Sequence, residues 1–214
     1  MTPVEAEKAP AASTAADRRA ARAEARREEI LDAAQRIFAV KGYHEAGIAD
    51  IATELGIGHG TFYRYFANKQ DIAAQVLERA IMQIAAALAD EDPTASSTVD
   101  EYREQTRRIM FSMFELLDAR PEAFNLLHVQ SLAIDVEALH TSFEAYSGYT
   151  EKFLENGVEK GFLRQDMDVE ITAQALVGLI FEGTRRAIAE DAARETWTRW
   201  IEAGVALMFD GVSG

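Results

Sequence analysis

Residues 47–69 read Gly47-Ile48-Ala49-Asp50-Ile51-Ala52-Thr53-Glu54-Leu55-Gly56-Ile57-Gly58-His59-Gly60-Thr61-Phe62-Tyr63-Arg64-Tyr65-Phe66-Ala67-Asn68-Lys69, and this stretch decides the fold. Ile48, Ile51 and Leu55 recur on one helical face and the run stops at Gly56, which predicts a short helix over 48–55. A second follows over 59–66, with Phe62 and Phe66 four residues apart on its inner side. Helices below roughly 12 residues are marginal alone in water, so both must pack on neighbours. Ala52 is small enough to let the two helices cross closely, Gly56 permits the sharp turn, and Ile57 plugs the corner. Together they describe a helix-turn-helix. His59, Gly60, Thr61, Tyr63, Arg64 and Tyr65 are then left near the free face and N-terminal end of the second helix, from which such motifs reach the DNA major groove.

Working outward, a helix is predicted over 27–41, with Ile30, Ala34, Ile37 and Phe38 on one face and Gly42 to end it. Residues 1–17, rich in Ala, Pro, Thr and Glu, read as disordered. The arginine-rich stretch 17–27 either extends the first helix or forms a mobile arm. Asn68, with Asp71 three residues on, caps a long helix carrying Ile72, Val76, Ile81, Ile84 and Leu88, which the acidic stretch around Pro93 ends. Further helices are expected from Ser97 or Thr98 to 119, from Pro121, from Asp135 to near Gly161, from Asp168 to about 190, and over 194–209. No period-two strand pattern occurs, so the chain reads as all-α with nine helices. Its organisation is a disordered or basic arm over 1–26, a DNA-binding domain over 27–70, and a larger helical domain over 71–214.

The net charge of −14 argues against a polyanionic partner until its distribution is read. Residues 18–69 carry nine basic against seven acidic side chains, whereas residues 70–214 carry 12 basic against 26 acidic. An acidic body that repels DNA behind a locally basic head favours one orientation of approach. Cysteine is absent, which excludes disulfides, thiolate metal sites and cysteine nucleophiles. No apolar run reaches the roughly 18 residues of a membrane span, and the first residues lack the order of a secretory signal, so a cytoplasmic protein with no membrane partner is expected. No His/Asp/Glu spacing suggests a metal, no cofactor motif is present, and no nucleophile-and-base constellation suggests an enzyme.

Three segments in order resemble the tetracycline-repressor (TetR) family of bacterial regulators. They are Ile30-Leu31-Asp32-Ala33-Ala34 with Phe38 and Lys41-Gly42-Tyr43, then Asp50-Ile51-Ala52 with Leu55-Gly56-Ile57, then Gly60-Thr61-Phe62-Tyr63-Arg64-Tyr65-Phe66 with Asn68-Lys69. The resemblance implies a homodimer that binds double-stranded operator DNA and releases it when a small-molecule effector enters the larger domain. By the same resemblance His59, Gly60, Thr61, Tyr63 and Arg64 face bases or adjacent phosphates, Arg64 being the residue suited to guanine, while Tyr65 and Lys69 clamp the backbone. The chain departs from the family pattern at Ala46-Gly47, where a hydroxyl residue is common, at Gly58, where serine is common, and at His59, where lysine is common.

The resemblance puts an effector pocket among the helices spanning 71–181. Candidate lining residues are Met110, Met113, Phe114, Leu117, Phe124, Leu127, His128, Ser131, Tyr146, Tyr149, Phe153 and Phe181. The last two helices spread apolar residues around more of their circumference than one intramolecular seam needs. Leu176, Val177, Ile180, Trp197, Trp200, Ile201, Val205 and Met208 are accordingly expected at a dimer interface, with Gly178 and Gly183 permitting close approach. A purely architectural DNA-binding protein is the alternative, and it requires a sealed body.

Overall fold

The computed structural model describes residues 14–189 and 194–211, all of whose regular structure is helical. Among the described residues nine helices run in order: α1 (Ala15–Lys41), α2 (Ile48–Leu55), α3 (His59–Phe62), α4 (Lys69–Leu88), α5 (Val99–Ala119), α6 (121–134), α7 (Val136–Glu159), α8 (Val169–Ala189) and α9 (Arg194–Asp210).

The expected start of α1 near Arg27 falls well inside the helix. The Thr14 hydroxyl accepts the Asp17 N–H at 3.2 Å and the Asp17 carboxylate accepts the Thr14 N–H at 2.8 Å, a reciprocal cap ahead of an Ala- and Arg-rich run that favours helix. Every residue from 14 to 25 is exposed, so this part of α1 stands clear of the body. Residues 1–13 of the expected arm lie outside the described residues.

Several predicted boundaries coincide with caps. The Asn68 carboxamide accepts the Asp71 N–H at 2.9 Å, the Thr98 hydroxyl accepts the Glu101 N–H at 3.2 Å, and Asp168 accepts the Ile171 N–H at 3.1 Å. Helix α3 is shorter than predicted: after Phe62 the chain continues as tight turns, with the Tyr65 and Phe66 N–H groups both donating to the Phe62 carbonyl. Helix α6 holds a π-helical turn at Leu126–Gln130, which inserts an extra residue between two α-helical segments, Pro121–Asn125 and Ser131–Ile134.

One apolar core links head and body. Ile30 and Phe38 of α1, Ile51 of α2, Phe62 and Phe66 meet Ile72, Val76 and Leu77 of α4. The same cluster continues through Phe124 and Leu127 to Ile201 and Val205 of α9. Burying such a side chain fully stabilises by about 1.5–3 kcal/mol, so the two short helices are held by α1 and α4 rather than by their own propensity. A smaller cluster of Tyr102, Phe153, Leu154 and Ala173 closes the far end of the body. Between the clusters lies a cavity.

Candidate nucleic-acid interface and ligand cavity

Helix α2 begins without a capping side chain of its own, as Ala46-Gly47 predicts. Asp50 supplies the cap instead: its carboxylate accepts the Gly47 N–H at 2.8 Å and pairs with the Lys41 ammonium at 2.6 Å. The Lys41 bond and the Gly47 N–H hold the Asp50 carboxyl below the usual carboxylate range. Gly56 then turns the chain at φ 61°, a left-handed conformation that glycine adopts without steric cost. From it the Ile57 N–H reaches back to the Ala52 carbonyl at 2.9 Å. Phe62 and Phe66 are fully buried with ring centroids 5.7 Å apart, and this fixes the opposite face of the second helix outward.

That outward face carries the residues expected there. His59, Gly60, Tyr63 and Arg64 are exposed, and Thr61, Tyr65 and Lys69 are half-buried. The Arg64 guanidinium lies 5.2 Å from the centre of the Tyr65 ring, so the two side chains form one surface. Lys69 is already engaged: its ammonium donates to the His44 carbonyl at 3.0 Å and lies 4.6 Å from the Tyr43 ring centre. On the inner side of the motif, the Arg27 guanidinium, just after the exposed part of α1, stands 5.6 Å from the ring centre of the buried Phe66.

The cavity occupies about 100 Å³ between α4, α5, α6, α7, α8 and α9. One water requires only about 10–15 Å³, so a small molecule or part of a larger one fits. The body is therefore not the sealed bundle of a purely architectural protein. Eight of the expected lining residues surround the cavity: Met110, Met113, Leu127, His128, Tyr146, Tyr149, Phe153 and Phe181. Phe114, Leu117, Phe124 and Ser131 do not. Phe114 packs on Trp197 with centroids 5.6 Å apart, Leu117 and Phe124 are buried in the main core, and the buried Ser131 hydroxyl turns back to the Leu127 carbonyl.

The residues expected at a dimer interface differ in how much surface they keep. Leu176, Val177, Ile180 and Met208 line the cavity, Leu176, Ile180 and Met208 being half-buried. Ile201 is wholly buried and Val205 nearly so within one subunit, which leaves neither a surface to offer a partner. Trp197 and Trp200 are half-buried against the same core, and Gly183 lets α8 and α9 approach: a Cβ there would lie 3.3 Å from the Trp200 ring. The residues exposed on α8 and α9 include Ala175, Ala203, Ala206 and Leu207.

No charged side chain lines the cavity among the described residues, and most of its polar groups are already satisfied by the protein. The Tyr146 hydroxyl donates to the Ile81 carbonyl at 3.1 Å, that of Tyr149 to the Glu91 carbonyl at 2.6 Å, and that of Thr150 to the Tyr146 carbonyl at 2.9 Å. Burial pushes the Tyr102 and Tyr146 phenols up. His128 is the exception. Its Nε2 meets the Thr184 hydroxyl at 3.1 Å, while its Nδ1 is buried with no partner. Burial, with a smaller contribution from the Arg185 charge, pushes its pKa down from 6.5 to about 3, so the ring is neutral at physiological pH. Thr184, Thr106, Ile84 and Tyr102 also line the cavity and were not among the expected lining residues. The inward periodicity of α5 is the signal that points to Tyr102.

Residues 30–76 match the family model described as bacterial regulatory proteins, tetR family. Over 166 residues the chain is 25% identical to the fatty acid metabolism regulator protein of Bacillus subtilis, covering 76% of this chain and 84% of that protein. It is 26% identical over 167 residues to the HTH-type transcriptional repressor KstR2 of Mycobacterium tuberculosis, covering 72% and 78% respectively. In fold it is similar to the fatty acid degradation regulator FadR of Bacillus halodurans, with a TM-score of 0.73 at 21% identity over 86% of this chain and 94% of that one. A similar likeness, with a TM-score of 0.72 at 23% identity over 87% and 99%, holds to the transcriptional regulator FadR of Bacillus subtilis, solved in complex with stearoyl-CoA. Residues 30–76, which hold the helix-turn-helix, thus match the tetR family of bacterial regulatory proteins, and over most of its length the chain is similar to transcriptional regulators.

Proposed function

We propose that this regulator is a homodimeric repressor working in the cytoplasm, which leaves its operator when a largely apolar effector enters the cavity. Residues 27–70 serve as the reading head, with His59, Gly60, Thr61, Tyr63 and Arg64 at bases or neighbouring phosphates and Tyr65 and Lys69 on the backbone. Residues 71–214 bind the effector and the partner subunit.

The observation that carries the reading is a single π-turn that touches both the cavity and the loop leading into the helix-turn-helix. His128 in that turn lines the cavity, and two residues on, the Gln130 carboxamide oxygen accepts the Tyr43 N–H at 3.0 Å, in the loop between α1 and α2. Lys69, at the first turn of α4, grips the next residue of that loop through the His44 carbonyl, and Ile84 near the other end of α4 lines the cavity. An effector that shifts either element changes how the head is held. Two heads on a dimer must meet half-sites about one DNA turn, roughly 34 Å, apart, so a small rotation breaks register.

The exposed small residues Ala175 of α8 and Ala203 and Ala206 of α9, with Leu207, suit an isologous helical interface in place of the buried Ile201 and Val205. Ala206→Glu is expected to convert the dimer to a monomer in light scattering, with its helical circular dichroism unchanged. A dimer that survives contradicts this face. The stearoyl-CoA carried by a regulator of the same fold supports an acyl-bearing effector here. Stearoyl-CoA is therefore the probe for release: titrated onto the protein bound to a duplex from its own upstream region, it is expected to dissociate the complex. Undiminished duplex binding at saturating probe contradicts it.

A further inference from the structure

The cavity's polar features are unequal. The hydroxyls of Tyr146, Tyr149 and Thr150 each donate to a main-chain carbonyl, which leaves their protons committed. Only the Nδ1 of His128, among the described polar atoms of the lining, is buried and without a partner. A buried nitrogen in that state is costly unless something else meets it.

The ring cannot turn aside to avoid the cost. It stacks on Phe124 at 17° with centroids 5.7 Å apart, meets Phe181 edge-on at 3.9 Å, and is tied at Nε2 to Thr184, whose hydroxyl also lies 3.0 Å from the Ile180 carbonyl. We propose that His128, held by Thr184, Phe124 and Phe181, is the polar anchor of the effector site, and that it selects a molecule with an apolar body and one uncharged hydrogen-bonding group, such as a hydroxyl or an ester or thioester carbonyl. The inference rests on the cavity being an effector site and adds the chemistry that it reads.

A carboxylate is disfavoured at this position for a physical reason. The lining offers no cation to replace lost hydration, and desolvation keeps the imidazole itself neutral at physiological pH. A neutral imidazole gives one donor or one acceptor at Nδ1, according to which ring nitrogen carries the proton, and a hydroxyl satisfies either. Ile84, Met110, Leu176 and Ile180 in the wall offer a ligand only apolar surface.

The test is the binding of 1-decanol and decanoate to the full-length protein at pH 7.5, followed by calorimetry or thermal shift. The alcohol is expected to bind at least about tenfold more tightly than the carboxylate. His128→Phe is expected to weaken the alcohol by about tenfold, the size of one good hydrogen bond, while His128→Gln, which keeps a hydrogen-bonding head, retains most of the affinity. Helical circular dichroism of both variants guards against misfolding. Decanol bound equally well by the wild type and His128→Phe overturns the anchor while leaving the cavity an effector site. Binding of neither probe by the wild type overturns the cavity reading and the anchor with it.

Discussion

In the proposed function Arg64 meets DNA and His128 meets the effector, and the two sit in opposite environments. Arg64 is exposed beside Tyr65 on the outer face of the head, with its guanidinium available to a guanine edge. Arg64→Ala is expected to weaken operator binding by about 1–3 kcal/mol and to relax preference at one base position, measured by fluorescence anisotropy across a set of single-substitution duplexes. His128 is neutral because it is buried, and that has a signature in stability. Its folded pKa of about 3 lies below the 6.5 of the free side chain, so as pH falls through 6.5 the unfolded chain gains a proton that the folded chain refuses until about pH 3. Stability present above pH 6.5 is therefore lost as the pH falls between these values, with a slope of up to about 1.4 kcal/mol per pH unit. Denaturant unfolding at several pH values is expected to show a shallower slope for His128→Phe than for the wild type, and identical slopes contradict the buried neutral ring.

At the scale of elements, the helix-turn-helix was legible because it is local: small residue, glycine, apolar plug and two phenylalanines all fall within residues 52–66. Its caps were half legible. Gly47 announces a missing hydroxyl, but only the fold brings Lys41 and Asp50 together to replace it. The π-turn left no trace in the sequence, since one extra residue in an apolar helix does not disturb a hydrophobic pattern. Nor can periodicity distinguish a residue facing a cavity from one facing a partner, because both surfaces are apolar. Leu176, Val177, Ile180 and Met208, expected at an interface, line the cavity, and Phe114 and Phe124, expected in the pocket, pack in the main core. Gln130→Ala tests the π-turn as the coupling element. Losing the Tyr43 bond is expected to leave stearoyl-CoA affinity within about twofold while reducing its ability to release the duplex by fivefold or more, within the range of typical coupling energies. Removing residues 1–26 tests α1 in turn: the protein keeps Ile30 and Phe38 for its core but loses the exposed Arg18, Arg19 and Arg22. Weaker duplex binding with a flatter salt dependence is expected, and an unchanged slope rules the extension out as a DNA contact.

For the whole molecule, acidic charge is concentrated away from the proposed DNA-reading head. The body beyond residue 69 carries the full excess of acidic side chains, 26 against 12 basic, while the head is locally basic. In the proposed function, long-range repulsion from the body favours a head-first approach, so the contacts at the outer face of residues 59–69 set the affinity. A shared core from Ile30 to Val205 makes head and body one mechanical unit, which is what a linked cavity requires. Everything depends on the outer face meeting a base sequence. The most direct measurement is anisotropy of a labelled duplex from the region upstream of the protein's own coding sequence against a scrambled duplex of equal length, at rising salt. Binding of the native duplex at least about a thousandfold tighter than the scrambled one is expected, with log affinity falling linearly in log salt concentration. Equal affinity for the two duplexes, or binding indifferent to salt, would contradict it.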